Sequence, residues 1–189
     1  MIVERKKHGV RFKALEVPPF PKEIFLDLTS LCNHACVFCA NPRIKNKKTM
    51  NHKMAIRVIK EAYGCGSREL GMYATGDSFM VKNLHEYVEY AKKQVGYDYL
   101  FITTNGGLAS PDRVKPVLDA GLDSIKFSIS AGKRETFKEI QGKDDFDKVI
   151  SNLKWVSNYR KKSRLNYRIY VTMVYTHKTE SEVEILKDI

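Results

Sequence analysis

The chain has 189 residues, 43% of them hydrophobic and 29% charged, which suits one globular domain with a proper core and excludes a disordered tail or a small disulfide-stapled module. Its 33 lysines and arginines outnumber its 22 acidic residues, a formal charge of +11, so an acidic partner such as a nucleotide, a nucleic acid or a phosphorylated substrate is favoured. No stretch is apolar for long enough to span a bilayer, and the opening MIVERKKHGVRF lacks the apolar centre of a signal peptide, so a soluble, cytoplasmic protein is expected.

Residues 1–22 are basic and carry Pro18, Pro19 and Pro21, the mark of an extended lead-in ahead of a core domain at 23–189. The apolar run IFLDLT at 24–29 predicts the first strand. A cysteine-rich segment follows it at once, then a polar, basic loop over 41–48. Met54, Ile56, Val58, Ile59 and Ala62 recur at helical spacing, with Asn51 as N-cap and Gly64 as stop. The alternation then repeats. Strands are predicted at 69–75, 99–103, 124–130 and 167–175. Helices are predicted at 84–95, 110–120 (with Pro111 in its first turn) and 146–160, and another begins at 179.

Strands alternating with helices predict parallel βα units joined by right-handed crossovers, an α/β open sheet or barrel. In such folds the working groups sit on loops at the C-terminal ends of strands. The polar signatures of this sequence fall there. Cysteines follow the first strand, Thr75-Gly76-Asp77-Ser78 the second and Thr104-Asn105-Gly106 the third, while Ser128 and Ser130 end the fourth. Four strands thus deliver polar groups to one rim.

Of four cysteines, Cys32, Cys36 and Cys39 share one short loop and Cys65 stands apart. A disulfide framework would spread its cysteines, and a reducing compartment would keep them as thiols. Clustered thiols point to metal. A cubane iron–sulfur cluster normally takes four cysteines, so three leave one iron open to a small molecule. A structural zinc site needs a fourth protein ligand, here His34, His52 or Cys65. The spacing therefore leaves a zinc-binding nucleic-acid or interaction module open beside an iron–sulfur protein, catalytic or not.

The sequence Cys32-x3-Cys36-x2-Cys39 after the first βα strand resembles the signature of the radical S-adenosylmethionine (radical SAM) superfamily. The resemblance covers the chain from Ile24 onward. It implies a partial (β/α) TIM-like barrel, with about five βα units present against a family norm of six, truncated towards the C-terminus. It implies that the three cysteines hold a [4Fe–4S] cluster whose fourth iron takes the amino and carboxylate groups of SAM. Reductive cleavage of SAM then yields a 5′-deoxyadenosyl radical that abstracts hydrogen from a substrate.

The resemblance also assigns SAM contacts. Phe38 holds the aromatic position beside the last cysteine. Thr75, Gly76 and Asp77 stand where the family has Gly-Gly-Glu, which binds the SAM amino group, and Ser78 replaces the proline that follows it. Asn105 belongs to the Thr-Asn-Gly turn, Ser128 matches a serine that binds the ribose, and Arg134 falls where a basic residue meets the SAM carboxylate. Taken singly, each has an ordinary explanation as turn, strand, core or surface residue; their shared order behind the cysteines is what links them. The loop style resembles the SPASM-type subgroup, whose C-terminal cysteine-rich domain would begin beyond Cys65, where no further cysteine occurs. The implied partners are a peptide, sugar or other small-molecule substrate and a reductant such as flavodoxin or ferredoxin. No RNA-binding motif accompanies the basic segments, so nucleic acid is disfavoured.

Overall fold

The computed structural model describes residues 3–7, 10–14 and 19–188. Five strands form one wholly parallel sheet in the order β3-β4-β5-β6-β7. They are β3 (Glu23–Phe25), β4 (Glu69–Gly71), β5 (Tyr99–Thr104), β6 (Ser124–Ser128) and β7 (Arg168–Thr172). Spatial order follows sequence order, the arrangement of successive βα units, and the result is a partial TIM-like barrel. The lead-in differs from expectation: β1 (Val3–Lys7) and β2 (Val10–Ala14) pair antiparallel as a separate hairpin.

The helices are α1 (His52–Gly64), α2 (Leu84–Glu89), α3 (Pro111–Asp119), α4 (Arg134–Gln141), α5 (Phe146–Ser163) and α6 (Val183–Lys187). Asn51 caps α1 by accepting the Lys53 N–H at 2.9 Å. The helix expected over 84–95 starts as α2 and widens to a π-turn over Tyr90–Val95, which Gly96 ends at φ 96°. None of the described helices is long and apolar enough to cross a membrane.

Strand β5 shows how the sequence sorts its two faces. Leu100, Ile102 and Thr104 are buried against the helices, while Tyr99, Phe101 and Thr103 alternate onto the other, partly open face. Leu70, Leu100, Ile125, Phe127, Val114, Val149 and Val156 are fully buried and build one core under the helices. Each such side chain contributes about 1.5–3 kcal/mol of transfer free energy. A parallel sheet normally has both faces covered. Here the second face is the barrel lumen, lined by aromatic and polar residues. Phe25, Tyr73 and Phe101 meet edge to face there, with centroids 5.3–5.8 Å apart.

Two expectations need correction. Every strand but β5 is shorter than predicted, and at the first two the chain leaves the ladder to build the rim: beyond β3, Leu26 N–H still donates to Gly71 (2.8 Å), and Thr29 then turns to bridge Thr49. Helix α4 falls where no helix was expected, between β6 and α5. Phe137 and Ile140 bury its inner side, and Gly142 closes it in the left-handed conformation at φ 64°.

Candidate metal centre and cofactor rim

The cysteine loop leaves β3 and returns to α1, and backbone bonds close it at its neck. Ser30 N–H donates to Lys48 and Met50 N–H to Leu28, at 2.9 and 2.8 Å. Its tip rests on the C-terminal end of α4, where the last carbonyls of a helix lack helical donors. Ala35 N–H takes the Gln141 carbonyl at 3.2 Å and Val37 N–H that of Ile140 at 2.9 Å. Gly142 permits this docking: a Cβ there would lie 2.5 Å from the Ala35 carbonyl oxygen.

Cys32, Cys36 and Cys39 are all partly exposed on this loop. Burial pushes the Cys32 thiol above its ordinary value. It pushes Cys36 up to about 11, reinforced by the charges of Cys32 and Cys39, so the three sulfurs are electrostatic neighbours. Loading a metal on Cys32 and Cys36 would release their protons. Two of the three sulfurs meet a donor: Asn105 Nδ2 donates to Cys32 Sγ (3.6 Å) and the Asn41 backbone N–H to Cys39 Sγ (3.3 Å). Such N–H···S bonds stabilise thiolates bound to iron. Among the described residues, no three His, Cys, Asp or Glu side chains converge on a point that one ion could fill. Three thiols on one loop are the donor type that an iron–sulfur cluster takes, one on each of three irons.

The second and third loops lock onto the first. Asp77 N–H donates to the Leu31 carbonyl at 2.9 Å, and a Cβ on Gly76 would come within 2.2 Å of the Thr29 carbonyl and 2.4 Å of that of Leu31. Only glycine fits so tight a backbone contact. The Asp77 carboxylate, 3% exposed, points inwards. Oδ1 accepts from Phe79 N–H (2.9 Å); Oδ2 accepts from Asn105 N–H (2.7 Å) and Thr104 Oγ1 (2.9 Å). Burial raises its pKa against these three donors, which favour the charged form. Ser78, standing where the family has proline, donates its hydroxyl to the Met72 and Thr103 carbonyls at 2.8 and 3.1 Å and ties the ends of β4 and β5 together. Asn105 reaches from the third loop to the first, its Nδ2 donating to Asn33 Oδ1 at 2.9 Å.

Four more residues complete the rim: Asn41, Gln141 and Asp145, which sequence reasoning passed over, and His34, which it named as a possible zinc ligand. Asn41 lies in the segment expected to be surface loop, yet it is 2% exposed and its Nδ2 donates to the carbonyls of Ser30 (2.8 Å) and Thr75 (2.9 Å). His34 is buried between Gln141 and Asp145. The Gln141 amide donates to Nδ1 at 3.3 Å, which leaves Nε2–H to donate to Asp145 at 3.2 Å. Gln141 also accepts the Ser130 N–H through Oε1 (3.0 Å) and donates to the Ser128 carbonyl (3.2 Å), joining the end of β6 to the cysteine loop. Nothing local marks Gln141 or Asp145, because their partner lies more than a hundred residues away; Asn41, two residues after Cys39, carried at least that positional hint.

The remaining expected contacts divide. Thr75 and the Phe38 ring are exposed beside the cysteine loop, and Ser128 sits partly buried at the end of β6, in register with Thr172. Arg134 opens α4 with its guanidinium held by Asp144 (2.9 Å) and Asp147 (3.3 Å). The structure thus brings Cys32, Cys36, Cys39, Thr75, Gly76, Asp77 and Asn105 together, joins Ser128 to them through Gln141, and leaves Arg134 in an exposed ion-pair group.

Parallel βα units whose rim carries three thiols on one loop define a protein of the α/β barrel class with its chemistry at the C-terminal ends of the strands. The chain belongs to the radical SAM superfamily, whose family model matches residues 26–189 and whose members use a [4Fe–4S] cluster and SAM. It is 33% identical over 136 residues to a probable GTP 3′,8-cyclase of Saccharolobus solfataricus, covering 70% of this chain and 42% of that protein. It is 30% identical over 200 residues to the molybdenum cofactor biosynthesis protein moc-5 of Caenorhabditis elegans, covering 95% of this chain and 32% of that protein. The chain therefore spans well under half the length of these relatives. In fold it resembles Streptococcus suis SuiB bound to S-adenosylmethionine, with a TM-score of 0.73 and 18% identity over 90% of this chain and 38% of SuiB. It also resembles anSMEcpe bound to AdoMet and a peptide, with a TM-score of 0.60 and 16% identity over 78% of this chain and 42% of that one.

Proposed function

We propose that this chain is the SAM-cleaving core of a radical SAM enzyme, with Cys32, Cys36 and Cys39 as the ligands of its cluster. The observation that carries the reading is the cysteine loop itself, docked on α4, with N–H donors on the sulfurs of Cys32 and Cys39. When reduced, the cluster supplies the electron that splits SAM into methionine and a 5′-deoxyadenosyl radical able to take hydrogen from a substrate.

The chain's own residues hold the cofactor in place. Because the Asp77 carboxylate already serves three donors, the SAM amino group falls to the backbone carbonyls of Thr75 and Gly76, which Asp77 and Asn41 fix. The exposed Phe38 ring borders the adenine. The Ser128 hydroxyl, at the end of β6, meets the ribose. Asn105 orients the first cysteine rather than the substrate. Arg134, already paired with two aspartates, is left out of the SAM carboxylate's environment. The substrate is a small molecule or peptide reached through the lumen, the reductant a flavodoxin or ferredoxin, and the reduced thiols require a reducing compartment such as the cytoplasm.

Anaerobic reconstitution, iron and zinc analysis and a SAM-cleavage assay under dithionite test this. The expected result is about four irons per chain and formation of 5′-deoxyadenosine, with Cys36→Ala taking up no intact cluster. Zinc without iron, or a full cluster in Cys36→Ala, would overturn it.

A further inference from the structure

Below the rim, the lumen face carries a cation with no assigned task. Residues in register across a parallel sheet share a face, and one such row runs Thr103, Lys126, Tyr170. Lys126 lies two residues before Ser128 on β6, hence about 6–7 Å beneath the rim at the usual strand rise. It lines a cavity of about 430 Å³ with Tyr99, Phe101, Ser124 and Tyr170, a volume suited to a small metabolite.

Two features mark this row as a binding feature rather than a solvated face. Lys126 is half-buried, and among the described residues no carboxylate pairs with it. Beside it, the Thr103 hydroxyl is buried with no hydrogen-bond partner in the described structure; buried hydroxyls are normally satisfied. Glu23, the acidic residue lining the same cavity, belongs by register to the row of Tyr99, two rows farther from the rim, and lies three strands away.

We infer that Lys126, assisted by Thr103, is an anion anchor on the lumen floor that grips the carboxylate or phosphate of a small-molecule substrate and holds the rest of it up towards the rim. The inference rests on the radical SAM reading for the word substrate, but the anion site itself does not. A metabolite bearing one acidic group would be pinned at that end, leaving a carbon farther along its frame to reach the reactive zone near Ser128. Neutral sugars would lack the grip.

The test is acylation footprinting of the full reconstituted chain, read at each lysine by peptide mass spectrometry, with inorganic pyrophosphate and with succinate as probes. Saturable slowing at Lys126 by at least one probe is expected, while the exposed Lys53 and Lys60 on α1 keep their rates. Slowing by pyrophosphate alone assigns a phosphate-bearing substrate, by succinate alone a carboxylate-bearing one. Calorimetric titration with the effective probe should show Lys126→Met binding about tenfold more weakly, with Lys126→Arg retaining affinity and Thr103→Val losing part of it. No slowing with either probe, or wild-type affinity in Lys126→Met, sinks the anchor. A wild-type protein that shows slowing at Lys126 but neither loads a cluster nor cleaves SAM keeps the anion site and retires the radical SAM reading instead.

Discussion

Asp77 shows what a single side chain can do at this rim. It sits two residues after Thr75, between the loops that follow β4 and β5, and its carboxylate binds both to itself: Phe79 N–H on its own side, Asn105 N–H and Thr104 Oγ1 across the gap. Asn105 in turn donates to Cys32 Sγ and Asn33 Oδ1. The acid is a strut that sets the third loop against the first. Asp77→Ala leaves those three donors buried and unpaired, and the fold should lose about 3 kcal/mol. SAM affinity should fall as well, through misplaced carbonyls at Thr75 and Gly76, while the cysteines still take up iron. Urea unfolding and equilibrium SAM binding check this, and an unchanged urea midpoint would disprove the strut. The sequence marks Asp77 as a rim residue, since its place after the second strand follows from alternation alone. It does not show which way the carboxylate turns, because that depends on partners 27 and 28 residues downstream. The three thiols are legible by type and spacing. Gln141 and Asp145 are not, and His34 shows there only as a histidine in the same loop, since the three acquire their roles only when residues more than a hundred positions apart meet.

At the level of elements, α4 is the surprise and the cysteine loop depends on it. Its sequence RETFKEIQ holds two inward apolar residues, Phe137 and Ile140, among six polar ones, so hydrophobic periodicity over so short a stretch carries little signal. The longer units were plain because they repeat the pattern over two or more turns, as α1 and α5 do, or alternate cleanly, as β5 does. Strand ends were overestimated for a related reason: apolar residues such as Leu26 and Leu28 continue past β3 because the rim loops are buried too. What α4 supplies is its C-terminal end, two carbonyls and the Gln141 amide, all turned on the cysteine loop. Gly142 makes the approach possible. Gly142→Ala adds a methyl 2.5 Å from the Ala35 carbonyl oxygen and puts a non-glycine residue in the left-handed region, costing about 2 kcal/mol. Lower iron content after reconstitution is expected along with a lower melting temperature. A variant that matches wild type in both would mean that the loop holds its shape without the helix.

Across the whole molecule, the packed core and the chemical rim are built from different materials. The core beneath the sheet is aliphatic and aromatic, Leu70, Leu100, Ile102, Ile125, Phe127, Val114 and Val156 among its fully buried members, and none of the four cysteines belongs to it. The rim is held by polar contacts between loops that lie far apart in sequence: Asp77 to Asn105, Asn41 to Thr75, His34 to Gln141 and Asp145. Hydrophobic burial does not depend on a metal, whereas three thiols on one loop are tied together by one. Removing the cluster should therefore loosen the rim and spare the sheet. In hydrogen exchange, the amides of Ala35, Val37, Asp77 and Asn105 should exchange at least about tenfold faster in the cluster-free protein, a local opening easier by ~1.4 kcal/mol. Those of 100–104 and 125–128 should keep their protection, and the far-UV circular dichroism should be retained. The contrary result is equally readable. If stripping the metal unfolds strands and loops in one cooperative step, the cluster is part of the folding core, and the division between a self-sufficient barrel and a metal-ordered rim is wrong.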